Sequence, residues 1–145
     1  LARVFGADKK NDTKAMSQFI EKAVAGEDII LKSKGNQRFS YCYVADAASG
    51  ILKVLLDGEN GEAYNVSDED DGLTLGKYAE YMACLANKKV VYQIENDEAA
   101  SRASYALLDS SKLKEIGWEP LYGVKEGLER TYKIKRMVYI KENQL

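Results

Sequence analysis

Histidine is absent from the sequence, proline occurs once, at Pro120, and the two cysteines, Cys42 and Cys84, are far apart. Without histidine there is no Ser-His-Asp or Cys-His relay, because the general base is missing. The same absence, with no Cys-x-x-Cys spacing, excludes zinc sites of the usual Cys/His type, and no metal is expected. Two isolated thiols read as buried, reduced cysteines of a cytoplasmic protein. No apolar run approaches the ~20 residues that cross a bilayer, and no signal-peptide pattern opens the chain, so no membrane partner is expected. The net charge is only −2. Lys and Arg are scattered, apart from a short cluster at Lys133, Lys135 and Arg136, whereas a nucleic-acid partner calls for a strong basic excess on one face.

Two more absences concern cofactor chemistry. No two of the 11 glycines are separated by a single residue, so there is no Gly-x-Gly-x-x-Gly pyrophosphate loop, and the lysine-bearing phosphate loop is missing as well. None of the 10 tyrosines has a lysine four positions later. The Tyr/Lys acid–base pair of some dehydrogenases is therefore not supplied by this chain, and no catalytic residue is assigned to it. The acidic run from Asp68 to Asp71 reads as a solvated loop, since a calcium loop needs spaced ligands ending in a bidentate Glu.

What is present is an alternation of short apolar strands and amphipathic helices. Leu1 to Phe5 reads as a strand closed by Gly6. A helix capped by Asp12 or Thr13 follows, with Met16, Phe19, Ile20 and Ala23 at three–four spacing and Gly26 at its end. Strands are expected at Ile29–Leu31 and Arg38–Val44. Asp46 opens a helix with its stripe at Ala48, Ile51, Leu52 and Leu55. Further on come a strand at Glu62–Val66, a helix capped by Thr74 and a strand at Val90–Ile94. A small helix from Ser110 to Ile116, stopped by Gly117, precedes a last helix over about Val124 to Tyr139. This pattern implies an α/β arrangement, or α+β for the isolated piece. A strand at residue 1 is unusual for the start of a domain, and the 145 residues read as one domain that is a fragment of a longer protein.

Three residues are candidates for ligand contact. Arg38 follows a Gly-Asn turn at the start of a strand, where a guanidinium suits a phosphate by paired, charge-assisted hydrogen bonds; a plain surface arginine is the competing reading. Asn65 ends a strand and offers an amide, although turn chemistry accounts for Asn there too. Arg102 is a cation in a polar loop, with a solvated loop arginine as its alternative. Asp46 reads as a helix N-cap and Trp118 as a packing residue.

In order along the chain, Ala2–Ala7 (ARVFGA), Gly35–Asp46 (GNQRFSYCYVAD), Gly61–Val66 (GEAYNV) and Asp109–Pro120 (DSSKLKEIGWEP) resemble the extended short-chain dehydrogenases. These are the NAD-dependent epimerases and dehydratases of nucleotide-sugars, and Glu126-Gly127-Leu128 fits their C-terminal helix. The resemblance implies that this is the C-terminal substrate lobe plus the last strands of the Rossmann sheet. The glycine loop and the Tyr/Lys pair would lie in a half that this chain lacks. It further implies a nucleoside-diphosphate sugar as partner, with Arg38 at the diphosphate and Arg102 near a second phosphate-binding arginine. NAD(P) would belong to the longer protein and not be bound by the fragment alone. Phe5-Gly6-Ala7 departs from the family's frequent Tyr-Gly-Pro, which alters the loop after the first strand. Stranded of its other half, the piece is expected to self-associate through exposed apolar surface. A self-standing α+β binding module without catalysis is the alternative from another class.

Overall fold

The computed structural model describes residues 1–8, 13–68, 73–94 and 105–143. In chain order these form β1 (Arg3–Phe5), α1 (Ala15–Ala25), β2 (Ile29–Leu31), β3 (Arg38–Phe39), β4 (Tyr41–Tyr43) and α2 (Val44–Asp57). They continue with α3 (Leu75–Leu85), β5 (Val90–Tyr92), β6 (Tyr105–Ala106), α4 (Ser111–Glu115) and α5 (Gly123–Asn143). Among the described residues the strands make three parallel pairs, β1–β4, β2–β5 and β3–β6. Arg102, the Asp12 cap and residues 69–71 of the acidic run lie outside the described residues.

The β1–β4 ladder, with Val4 opposite Cys42 and Phe5 opposite Tyr43, separates two apolar clusters because side chains alternate across a strand. On one side Phe5, Tyr41 and Tyr43 join Phe19 and Ile20 of α1, Tyr78 and Met82 of α3, and Leu128 of α5. On the other, Cys42 packs with Ala47, Val66, Leu113 and Trp118. α1 forms as its spacing predicts: Met16, Phe19, Ile20, Ala23 and Val24 are buried, and Gly26 at φ 73° ends the helix with its N–H on Ala23 O. The residue at its N-cap is Lys14, which makes no side-chain cap. α3 starts where expected, with Thr74 accepting from Lys77 N.

One glycine is set by packing. A Cβ at Gly127 would lie 2.6 Å from Cβ and Cγ of Tyr43, so α5 rests on β4 at a distance only glycine allows.

Three expectations are corrected. Glu62–Val66 forms no strand; the segment is held beside the sheet by single bonds, Ala2 N to Val66 O (2.9 Å) and Asp68 N to Tyr41 O (3.3 Å). Only one of the two cysteines is buried, Cys42, while Cys84 is exposed. The apolar stripe of α2 faces outward: Ile51, Leu52 and Leu55 are exposed, and the buried residues are Asp46, Ala47 and Gly50.

Candidate functional site

Asp46 shows how the turn into α2 is put to use. The helix begins earlier than expected, at Val44 with Tyr43 as its N-cap, so Asp46 sits in its first turn rather than at its cap. Its carboxylate is fully buried and turns to another helix. One oxygen accepts from Leu121 N (2.8 Å) and Tyr122 N (3.2 Å), the other from Gly123 N (3.0 Å). Asp68 adds a fourth bond, from Val124 N at 2.6 Å. The first amides of a helix have no partner within it and carry partial positive charge. Two carboxylates from distant segments therefore cap α5, and Asp46 is a structural strut rather than a ligand group. Burial, then the negative charges of Asp46 and Asp68, push the Cys42 thiol up to about 12. It is a neutral core residue, not a nucleophile.

A cleft of about 880 Å³ opens between α1 and β2. Phe19, Ile29, Leu31 and Leu75 supply an apolar wall, and Gln18, Lys22, Lys32, Ser33 and Gln93 supply polar groups around it. An apolar trough edged by a few polar groups suits a flat ring with hydrogen-bonding edges. Ser33 connects this cleft to the strand beyond it. Its hydroxyl accepts from Gln37 Nε2 (3.3 Å) and from Gly35 N (3.3 Å). The turn is pinned where Gly76 N, at the start of α3, donates to Gly35 O at 2.8 Å. Gly35 has φ 70° and a Cβ on it would meet the Gly76 backbone at 2.8 Å, so glycine is required there on both counts. Gln37 Oε1 is buried and has no hydrogen-bond partner among the described residues.

Arg38 is the next residue. It lies in β3 opposite Tyr105 of β6 and bridges to Thr74, the N-cap of α3. Its side chain is exposed, whereas Phe39 beside it is buried. Among the described residues no carboxylate pairs with Arg38. Arg3 stacks its guanidinium on Phe39, 3.5 Å from the centroid of the ring. Asn65 is exposed, and its Nδ2 donates to Asp109 O at 2.9 Å, which ties its segment to the start of α4. Neither Arg38 nor Asn65 is among the residues lining the cleft. Arg38 adjoins Gln37, whose amide donates to Ser33 of the cleft, and Asn65 donates to Asp109 O instead. Trp118 packs as expected, its Nε1 donating to Ser49 Oγ at 3.0 Å. Sequence reading missed the cleft because its walls come from two elements whose apolar residues look like ordinary core.

The profile of the NAD dependent epimerase/dehydratase family matches residues 1–67. UDP-glucuronic acid decarboxylase 3 of Arabidopsis thaliana is 32% identical over 122 residues, covering 81% of this chain and 34% of that protein. The UDP-glucose 4-epimerase of Thermotoga maritima, solved with UDP-glucose, superposes with a TM-score of 0.80 at 26% identity over 95% of this chain and 45% of that one.

The chain belongs to the NAD-dependent epimerase/dehydratase family.

A dTDP-glucose 4,6-dehydratase from Bacillus anthracis, solved with NAD, shares the fold at a TM-score of 0.78 and 22% identity, over 97% of this chain and 44% of that one. Mixed helices and strands with parallel pieces are thus the extended short-chain dehydrogenase arrangement. This family member spans about a third of the curated relatives that it matches and under half of those solved structures. The 145 residues contain neither the paired-glycine loop nor Tyr-x-x-x-Lys.

Proposed function

We propose that this chain is the nucleotide-sugar-binding side of an NAD-dependent epimerase or dehydratase, a single domain of a longer enzyme, and that alone it binds without catalysing. The observation that supports this reading most strongly is the superposition, over 95% of the chain, on an epimerase solved with UDP-glucose. The α1–β2 cleft takes the nucleoside end of the ligand. Arg38 meets the diphosphate, where an exposed guanidinium with no acid beside it among the described residues is available for a dianionic group. Arg102 is the second cation of the same reading, and Asn65 offers its side-chain carbonyl to the ligand, its amide being engaged by Asp109.

In the whole enzyme NAD supplies transient oxidation of the sugar, and this chain's part is to hold and orient the nucleotide. Both an isomerase and a lyase fit that part. The reading places the protein in the cytoplasm; among the described residues no helix is long and apolar enough to cross a membrane. It also includes self-association of the chain through its exposed apolar surface.

Isothermal titration of the chain with UDP-glucose, UDP and uridine tests the ligand reading. Binding of UDP-glucose and UDP, with uridine clearly weaker, is the expected order, because the diphosphate carries the charge that Arg38 meets. Absence of heat and of competition at millimolar concentration contradicts the reading.

A further inference from the structure

Of the basic cluster near the middle of α5, Lys133 is exposed and pairs with Glu129 at 3.8 Å, while Lys135 and Arg136 turn to α1. Arg136 donates to Val24 O at 2.6 Å, in the last turn of α1, where a carbonyl has no partner within the helix. Lys135 reaches Glu21 Oε1 at 2.5 Å, one turn earlier on α1. The same ammonium donates to the carbonyl and to Oδ1 of Asp8, both at 3.0 Å, just beyond β1. Its three N–H groups thus have three acceptors, and only 10% of the side chain is exposed. Burial works against the charge, but the bonds to Glu21 and Asp8 outweigh it and hold the ammonium above its ordinary pKa. Lys135 is a fixed positive charge set between α1 and α5.

Glu21 stands between two clefts. On one side is a cavity of about 540 Å³ between α1 and α5, where Lys135 lies with Val24, Ile134 and Val138. On the other is the α1–β2 cleft, whose wall also includes Glu21. The other charges on that wall are Lys22 and Glu27, which pair with each other, and Lys32. The Glu21 side chain is 33% exposed, so its charge is felt in the cleft, and the group that offsets it is Lys135.

We propose that Lys135 is a positioning residue for the α1–β2 cleft: by holding and neutralising Glu21, it lets a dianionic diphosphate ester occupy a cleft whose wall carries a carboxylate. This role rests on the nucleotide reading above, since Lys135 itself does not line the cleft. The ligand brings two negative charges. A unit charge about 8 Å away from them changes affinity by about fivefold at the dielectric constant of water, and an uncompensated Glu21 acts in the unfavourable direction. A neutral nucleoside escapes this effect.

The test is a chemical-shift titration with UDP-glucose and with uridine at low ionic strength, in variants whose fold is checked by circular dichroism. Lys135→Met is expected to weaken UDP-glucose about fivefold and to leave uridine unchanged. Glu21→Gln, which keeps the shape of the side chain, is expected to tighten UDP-glucose by about the same factor. With both substitutions together the two charges leave as a pair, and wild-type affinity returns. Lys135→Arg retains the charge and the affinity. These differences shrink at high salt. A displaced α1 would instead weaken both ligands alike and escape rescue by Glu21→Gln, and that result overturns the proposal. Wild-type affinity in Lys135→Met overturns it as well. Should Lys135→Met not fold, Glu21→Gln decides alone, and unchanged affinity for UDP-glucose then overturns the proposal. A wild-type chain that does not bind UDP-glucose removes the nucleotide reading and this role with it, whereas binding indifferent to Lys135 and Glu21 removes this role alone.

Discussion

The carboxylate of Asp46 accepts the backbone N–H of Gly123 at 3.0 Å, joining residues 77 positions apart. With two further amides on its other oxygen, it sets where α5 starts and which side of α2 faces inward. Asp46→Ala should lower the unfolding free energy by about 3 kcal/mol, since it strands three amides and removes charge-assisted bonds. Asp46→Asn keeps one acceptor and should cost about half as much. Urea unfolding followed by Trp118 fluorescence measures both, and an Asp46→Ala chain as stable as wild type would remove the cap from this account.

Gly127 separates close packing from backbone strain. Gly127→Ala places a methyl 2.6 Å from Tyr43 Cβ and Cγ and should destabilise the chain by about 1–3 kcal/mol through overpacking of α5 on β4. Gly61→Ala meets nothing within 4 Å and carries only the strain of φ 85°, about 1 kcal/mol. Thermal unfolding of the two variants side by side should show Gly127→Ala with the lower midpoint; equal midpoints would contradict the close approach.

The two thiols should differ sharply. At neutral pH a thiol-specific reagent should modify Cys84 alone in the folded chain and both cysteines in denaturant. Cys42 also has a signature in alkali. Its folded pKa, about 12, lies above the ordinary value of 9.0, so the folded state retains a proton that the unfolded state releases. The stability tied to that proton is fully present below pH 9.0 and is lost as pH rises toward 12. Tyr81, pushed up to about 12 by burial and by its bond to Glu129, acts in the same direction. Cys42→Ala should flatten the alkaline limb of stability against pH. A limb of unchanged slope would show that Cys42 does not contribute to it.

Arg38→Ala should weaken nucleoside-diphosphate binding by roughly 1.5–3 kcal/mol, the range for a hydrogen bond to a charged group, and leave stability unchanged because the side chain is exposed. Titration of UDP into the variant reads this. Unchanged affinity with an intact fold takes Arg38 out of the site.

Local rules carried the parts of the fold where a single segment decides its own shape. The stripe Met16, Phe19, Ile20 and Ala23 is buried as its spacing implies, Gly26 ends α1, Thr74 caps α3, and Gly117 takes φ 86° after α4. Where two distant segments decide together, the same rules mislead. The periodicity of α2 points to Ile51, Leu52 and Leu55 as the inward face. The bonds of Asp46 to the Leu121, Tyr122 and Gly123 amides at the entry to α5, and the tight seat of Gly50 against Val66 and Trp118, reverse it. Glu62–Val66 has strand composition but finds only isolated backbone bonds. The cleft is likewise a product of assembly, for nothing in the segment around Phe19 or the one around Leu31 marks them as facing walls. The four motifs of the family resemblance fared better, since the family and its fold follow from them.

The proposed binding of a nucleoside-diphosphate sugar along the α1–β2 cleft is read residue by residue in a chemical-shift titration of the isotope-labelled chain with UDP-glucose. Saturable shifts at Phe19, Leu31, Ser33, Gln37 and Arg38, with α4 and the far end of α5 silent, are the predicted result. Shifts that do not saturate, or that fall away from α1, β2 and β3, would contradict it.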